Sequence, residues 1–286
     1  MQAGNRLALA YLTVDKGAPV DQIESASAAG FDAVGLRLLA PHGLQLAHEI
    51  VGNKAQIRAI CRACESTGVD ILDVDVFTLA ATTDMAVLYH ALETAAEIGA
   101  SIIQTVCEDP DLERARERFA SLCAAAAVHG MNVAMEFMRW RQVSTIEEAL
   151  AFVAQAGCPN GAICVDTFHL SRSGGTPASI AAVPVERMPY VQLCDARAEI
   201  PPLQDMLQEA RHDRLYPGEG ELWLDDILDA MPLGIPISIE VPRIIHANCS
   251  VRDRAKLAGD ALRLYLARYR DRASHVSIDS GSVHRR

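Results

Sequence analysis

The sequence predicts a single-domain α/β protein, a (β/α)8 TIM barrel. Three observations lead there. Short apolar runs alternate with segments of helical periodicity along almost the whole chain. Eight such units follow one another, which favours a closed parallel barrel over an open sheet. The length, 286 residues, is large for one ordinary domain and usual for one such barrel.

The strands are read in order as Leu7–Tyr11, Ala33–Leu38, Asp70–Val76, Ser101–Val106, Asn132–Phe137, Gly161–Asp166, Tyr190–Cys194 and Ile235–Val241. Between them, Val20–Ala29, Lys54–Ser66, Met85–Ile98 and Asp111–His129 repeat apolar residues at helical spacing. Glycines at 30, 68, 99 and 130 mark helix ends, where a residue without Cβ enters the left-handed region cheaply. Ala196–Leu222 is a long insertion after the seventh strand, expected to lie over the C-terminal mouth as a lid. The barrel is assigned to residues 1–272, and 273–286, rich in Ser and Gly, to a disordered tail.

Composition narrows the partners. Half of the residues are apolar and only 5% aromatic, so Ala, Val, Ile and Leu must carry the burial. A net charge of -11 argues against a nucleic-acid partner, since phosphate contacts need a basic face. Cys107, Cys164 and Cys194 lie in strand-like runs, and Cys61 and Cys64 sit on a helical pattern with no second pair nearby. The eight cysteines therefore read as thiols of a reducing cytoplasm. No apolar run approaches the roughly 20 residues that span a bilayer, so no membrane partner is expected. Homo-oligomers are common among barrels, although no interface patch is legible.

Four polar residues stand at the ends of four successive strands. Glu136 follows Val133-Ala134-Met135, Asp166 follows Ile163-Cys164-Val165, Gln192 interrupts Tyr190–Cys194, and Glu240 follows Ile237-Ser238-Ile239. A buried carboxylate is costly unless a cation meets it. Barrel enzymes gather their chemistry at the C-terminal strand ends. Three carboxylates and an amide oxygen suit one hard divalent cation, Mn2+ or Mg2+ first and Co2+ next, and suit zinc less because the set lacks thiolate and imidazole. The competing reading of caps and arginine pairs is ordinary for one such residue and weak for four at corresponding positions.

Val165-Asp166-Thr167-Phe168-His169 together with Arg214-Leu215-Tyr216-Pro217-Gly218-Glu219-Gly220 resembles the xylose-isomerase-like TIM-barrel superfamily of sugar isomerases, ketose 3-epimerases, inosose dehydratases and 3-dehydroshikimate dehydratases. The resemblance implies that Glu136, Asp166 and Glu240 are metal ligands, with Gln192 in the fourth position. It also implies that His169 binds a substrate oxygen and that Arg214 is a substrate-binding arginine of the lid. Gln192 and the Trp140 that follows Glu136 are closer to the dehydroshikimate dehydratase branch, yet Phe77–Thr82 lacks the arginine expected there for the substrate carboxylate.

The chemistry that follows is proton abstraction next to the carbonyl of a small polyhydroxy ketone or aldehyde, with Glu136 and Glu240 as catalytic bases. Returning the proton makes an isomerase or epimerase, the leading expectation. Loss of a β-hydroxyl makes a dehydratase, and a non-catalytic binding barrel is the third reading. Arg37, Arg139, Trp140 and Gln104 complete the expected substrate contacts. Arg141 is left between an anion pocket and solvent.

Overall fold

The structure, a computed structural model, describes residues 5–41 and 43–281, with side chains through Arg272. Eight parallel strands close into one barrel in chain order: β1 (Leu7–Leu9), β2 (Ala33–Arg37), β3 (Asp70–Leu79), β4 (Ile102–Cys107), β5 (Asn132–Glu136), β6 (Gly161–Asp166), β7 (Val191–Leu193) and β8 (Ile237–Ile239). The closing contact pairs Leu7, Ala8 and Leu9 of β1 with Ile237, Ser238 and Ile239 of β8.

Around the barrel lie α1 (Pro19–Ala28), α2 (Lys54–Thr67), α3 (Met85–Glu97), α4 (Leu112–Ala127), α5 (Ile146–Ala156), α6 (Thr167–Arg172), α7 (Pro177–Ala181), α8 (Leu203–His212), α9 (Leu224–Ala230) and α10 (Val251–Gly281). Local chemistry sets their ends. Asn53 accepts from the amides of Ala55 and Gln56 at the start of α2, and Asp111 and Thr145 cap α4 and α5 in the same way. Gly68 stops α2 at φ 73°, and its N–H returns to the Cys64 carbonyl.

The outer core lies between strands and helices and is built from Ile, Val, Leu and Phe side chains such as Phe119 and Phe152, whose rings meet edge to face at 5.5 Å. The barrel interior is filled differently. Ala8, Ala33, Ala134 and Ala162 with Ile102 and Tyr190 close its lower end. Above them β3 brings in Asp73, which fits only because β2 has no side chain at Gly35: a Cβ there would stand 2.9 Å from Asp73 Oδ1.

The structure refines several expected boundaries. β1, β7 and β8 are three residues each, shorter than read. Tyr11–Val14 turns into a 3-10 segment, and Pro236 contributes only its carbonyl, taken by the Val191 N–H at 3.1 Å. β3 runs on to Leu79 because its pairing shifts register against both neighbours. The insertion after β7 contains α8 and crosses the mouth. The backbone of α10 continues to Gly281, and residues 282–286 of the expected tail lie outside the described residues.

Candidate metal centre

The strand ends bring the expected side chains to one point. Glu136 closes β5, Asp166 closes β6, Gln192 lies in β7, and Glu240 follows β8. With His169 and Arg214 they range from 0% to 4% exposed. Asp166 has a double duty. Its Oδ1 caps the short helix α6, accepting from the amides of Phe168 at 2.7 Å and His169 at 3.1 Å, which is why Asp-Thr-Phe-His turns directly from strand to helix. Its Oδ2 faces the Arg214 guanidinium at 2.6 Å.

Arg214 enters from the lid. Its other terminal nitrogen lies 3.0 Å from Glu240 Oε2, its Nε donates to the Ala210 carbonyl at 2.9 Å, and its plane sits over the Phe168 ring. Glu240 Oε1 accepts from Gln192 Nε2 at 3.1 Å. His169 Nε2 stands 3.6 Å from Glu136 Oε1, and its ring meets Trp140 edge to face.

One arginine does not balance three carboxylates. Burial, and then the charges of Glu240 and Asp166, hold the Glu136 carboxyl well above the usual range. Burial pushes Glu240 up to about 8 against the opposing pull of Arg214. At Asp166 burial is outweighed by the charge and hydrogen bond of Arg214, and the group is lowered. Burial drives His169 down to about 3, leaving a neutral imidazole whose Nδ1 has no partner.

The surplus of buried negative charge and the neutral imidazole beside it fit a divalent cation. Glu136, Asp166 and His169 each place one donor atom within 4.8 Å of the others. His169 therefore joins the donor cluster, whereas the sequence reading gave it only a substrate contact. An imidazole enters a set from which its absence had argued against zinc.

The cleft above this cluster is lined by Arg37, Gln104, Trp140, Arg141, Arg211 and Arg214, among others. Arg139 is exposed and does not line it. The reason is the turn after β5. Met138 N–H reaches Val143 O at 3.1 Å, and Arg141 N–H reaches Met138 O at 2.8 Å. That turn folds Arg141 back over the mouth to an ion pair with Glu108 and leaves Arg139 outside.

Arg37 is already engaged: Asp75 binds its Nε at 3.0 Å and its terminal nitrogen at 2.5 Å, and Tyr11 lies under the guanidinium. Arg211, in the last turn of α8, differs. Burial and then the neighbouring Arg141 and Arg37 charges lower its pKa, and no carboxylate pairs with it among the described residues.

The Pro-Gly-Glu-Gly segment serves Asp195, a residue that sequence reasoning passed over. Its carboxylate accepts the amides of Ala196 at 2.9 Å, Gly218 at 2.9 Å, Gly220 at 3.0 Å and Leu222 at 3.0 Å. A Cβ at Gly220 would stand 2.4 Å from the Ala196 carbonyl oxygen, so the close wrap requires glycine. The opposite flank of the lid is held by Arg172, which is buried against Phe168 and grips Glu209 of α8 at 2.9 and 2.5 Å.

Similarity to known proteins agrees with this architecture. The chain is 29% identical over 240 residues to a 3-dehydroshikimate dehydratase of Pseudomonas aeruginosa, covering 77% of this chain and 36% of that protein. The chain thus spans about a third of that relative's length. Its fold matches a xylose isomerase-like TIM barrel/4-hydroxyphenylpyruvate dioxygenase fusion protein with a TM-score of 0.78 at 21% identity, over 96% of this chain and 45% of the other. It also matches an IOLI protein with a bound zinc atom, with a TM-score of 0.76 at 16% identity, over 92% of this chain and 99% of the other. Residues 23–268 match the model of the xylose isomerase-like TIM barrel, and the chain belongs to that family.

Proposed function

We propose that this protein is a divalent-metal-dependent enzyme that removes a proton next to the carbonyl of a small hydroxyketone carrying an anionic group, and that it completes the reaction as a dehydratase. Glu136, Asp166, Glu240 and the amide oxygen of Gln192 would hold the cation, with His169 beside it and Mn2+ or Mg2+ as the favoured ions. When bound, the ion would acidify the α-carbon and stabilise the negative charge developing on the substrate oxygen.

The chain's own groups move the proton. Glu136 and Glu240 both have carboxyl groups raised towards or beyond neutrality, and they share one buried site with Asp166. These shifts belong to the metal-free site; with the cation in place both carboxylates would be ionised, and either can serve as the base. Dehydration can then run through one group: the carboxylate that takes the α-proton becomes the acid that returns it to the departing β-hydroxyl, which leaves as water. His169 is neutral and suited to accept a hydrogen bond from a substrate hydroxyl. Trp140 packs on His169 and holds the imidazole plane.

The observation that carries the dehydratase reading is Arg211, a cation on the cleft wall with no carboxylate partner among the described residues. An anionic substituent of the substrate is the partner it lacks. This arginine supplies from the lid what Phe77–Thr82 does not supply from β3, and the dehydratase relative acts, by its name, on 3-dehydroshikimate. An epimerase or isomerase of a neutral sugar would use the same two glutamates and would have no need of this receptor, whereas one acting on a sugar acid would share it.

The test is Mn2+-loaded protein with 3-dehydroshikimate, followed by absorbance of a conjugated product and by proton NMR. The expected outcome is loss of water with new conjugated absorbance, and Arg211→Ala should raise KM by about 10- to 100-fold with kcat largely kept, the loss of one charge-assisted contact. An inverted or shifted stereocentre without loss of water would select the isomerase class, and no binding of any divalent ion would sink the metal reading.

A further inference from the structure

A second cavity lies beside the cleft, and its charge runs against that of the chain. It measures about 310 Å3, and Leu12 and Arg211 line both spaces, so Arg211 stands on the wall between them. The loop after β1, the end of α8, the segment after β8 and the first residue of α10 enclose it. The whole chain has 26 Lys and Arg against 37 Asp and Glu. This cavity has Lys16, Arg211, Arg243 and Arg254 against the single carboxylate of Asp15.

Partners sort these cations into two kinds. Arg254 pairs with Asp15 at 2.7 Å, and Arg243 pairs with Glu219 at 2.6 Å. Lys16 and Arg211 have no carboxylate partner among the described residues. Two unbalanced cations at one cavity match a dianion better than they match a single carboxylate.

Lys16 is placed there at a cost. Its φ is 63°, and among the described residues it is the one non-glycine residue in the left-handed region, which glycine would enter without a Cβ penalty. The loop that carries it is held firmly. Arg254 donates to the Asp15 carbonyl at 2.8 Å, and the Lys16 carbonyl accepts from His48 Nε2 at 3.2 Å. A Cβ at Gly17 would stand 2.7 Å from Val251 Cγ2, so the glycine lets the loop lie against the start of α10. The backbone is thus fixed while the Lys16 side chain is exposed at the rim of the cavity. Strain kept at a side chain that packs against nothing is a sign that the side chain is used.

We infer that this cavity is a second anion subsite, which takes a phosphoryl dianion between Lys16 and Arg211. The dianion would come from a phosphate ester whose remainder reaches the cleft past Arg211, or from free inorganic phosphate. The inference shares Arg211 with the proposed function and makes no use of the cation site.

The experiment is titration of the metal-free protein with inorganic phosphate at pH 8 and constant ionic strength, read by isothermal calorimetry. Acetate and sn-glycerol 3-phosphate are titrated in the same way. Expected is one saturable phosphate site per chain, with acetate at least about tenfold weaker. Lys16→Gly and Arg211→Ala should each weaken phosphate by about tenfold or more, the loss of one charge-assisted contact. Lys16→Gly also relieves the left-handed backbone, so its melting temperature without phosphate should hold or rise while its affinity falls. A merely structural lysine would not give that combination.

Absence of saturable phosphate binding overturns the inference, and so does acetate binding as tight as that of phosphate. A loss in Arg211→Ala with none in Lys16→Gly also overturns it, because the anion would then sit in the cleft and leave the proposed role of Arg211 standing. Tighter binding of sn-glycerol 3-phosphate than of inorganic phosphate identifies an ester as the source. Equal or weaker binding of the ester identifies the free anion.

Discussion

Two arginines, Arg37 partly and Arg214 fully buried, face carboxylates at the mouth of this barrel, and they are not alike. Arg37 and Asp75, on neighbouring strands, form a closed one-to-one pair with two hydrogen bonds and an aromatic ring beneath the guanidinium. Arg214 instead divides its guanidinium between Asp166 and Glu240, while Glu136 stands close by without a cation of its own. The first pair is balanced and needs nothing further. The second is short of positive charge, and its carboxyls show it, with Glu136 and Glu240 raised while Asp166, nearest the guanidinium, is lowered. Buried charge left incomplete is a mark of a site, whereas buried charge made complete is a mark of a scaffold.

The contrast can be broken most directly at Glu240. Glu240→Gln keeps the shape but removes a proposed ligand and base, and turnover of the Mn2+-loaded protein should fall by about 10²–10⁴-fold. Its metal-free melting temperature should hold or rise, because a raised carboxyl is being removed. Retained activity would remove Glu240 from the chemistry.

Asp75→Asn probes the balanced pair. It leaves Arg37 buried without its counter-charge and should cost about 3 kcal/mol in urea unfolding, with Mn2+ affinity kept within a few fold. A large loss of Mn2+ affinity would mean that the two charge systems are one.

A smaller effect is expected at Asp73, which sits below Asp75 and receives none of the Arg37 hydrogen bonds. Burial, then the Asp75 charge, push it up to about 8, and its Oδ1 is unpartnered. The folded state therefore holds this proton more tightly than the unfolded chain does. Stability is highest below the unfolded carboxyl pKa and falls as pH rises towards 8, levelling beyond. Asp73→Asn should be more stable than the parent near pH 8, with the gap closing towards pH 4 in a series of thermal melts. A gap independent of pH would contradict the assignment.

Much of this was legible in the chain because strand ends are a property of sequence order. Once the unit carrying Glu136 is read as the fifth, the next three polar strand ends follow at Asp166, Gln192 and Glu240, and the structure brings all of them to one mouth. What could not be read is whatever depends on a dihedral angle beyond the strand. The direction of the Gln192 amide is one case, invisible in a residue name. Arg139 and Arg141 are another, since two residues of turn geometry decide which of them faces the cleft. Arg211 and Asp195 were missed because their importance lies in partners distant in sequence or absent. A glycine pair at 218 and 220 two dozen residues downstream was the available signal for Asp195.

The wrap around Asp195 has a consequence for how this protein can vary. Both feet of the insertion are tied to one carboxylate, at Ala196 on the way out and at Gly218, Gly220 and Leu222 on the way back. Arg214 stands between these feet, held on one side by the pairing of Leu215 with Asp195 and on the other by the Ala210 carbonyl of α8, which accepts from its Nε. Substitutions that keep α8 intact, at a cleft-lining side chain such as Leu207, can therefore change what fits the cleft while Arg214 stays in place. The insertion works as a faceplate bolted at its edges, whose cleft-facing side chains can be rewritten without touching the buried carboxylates beneath it.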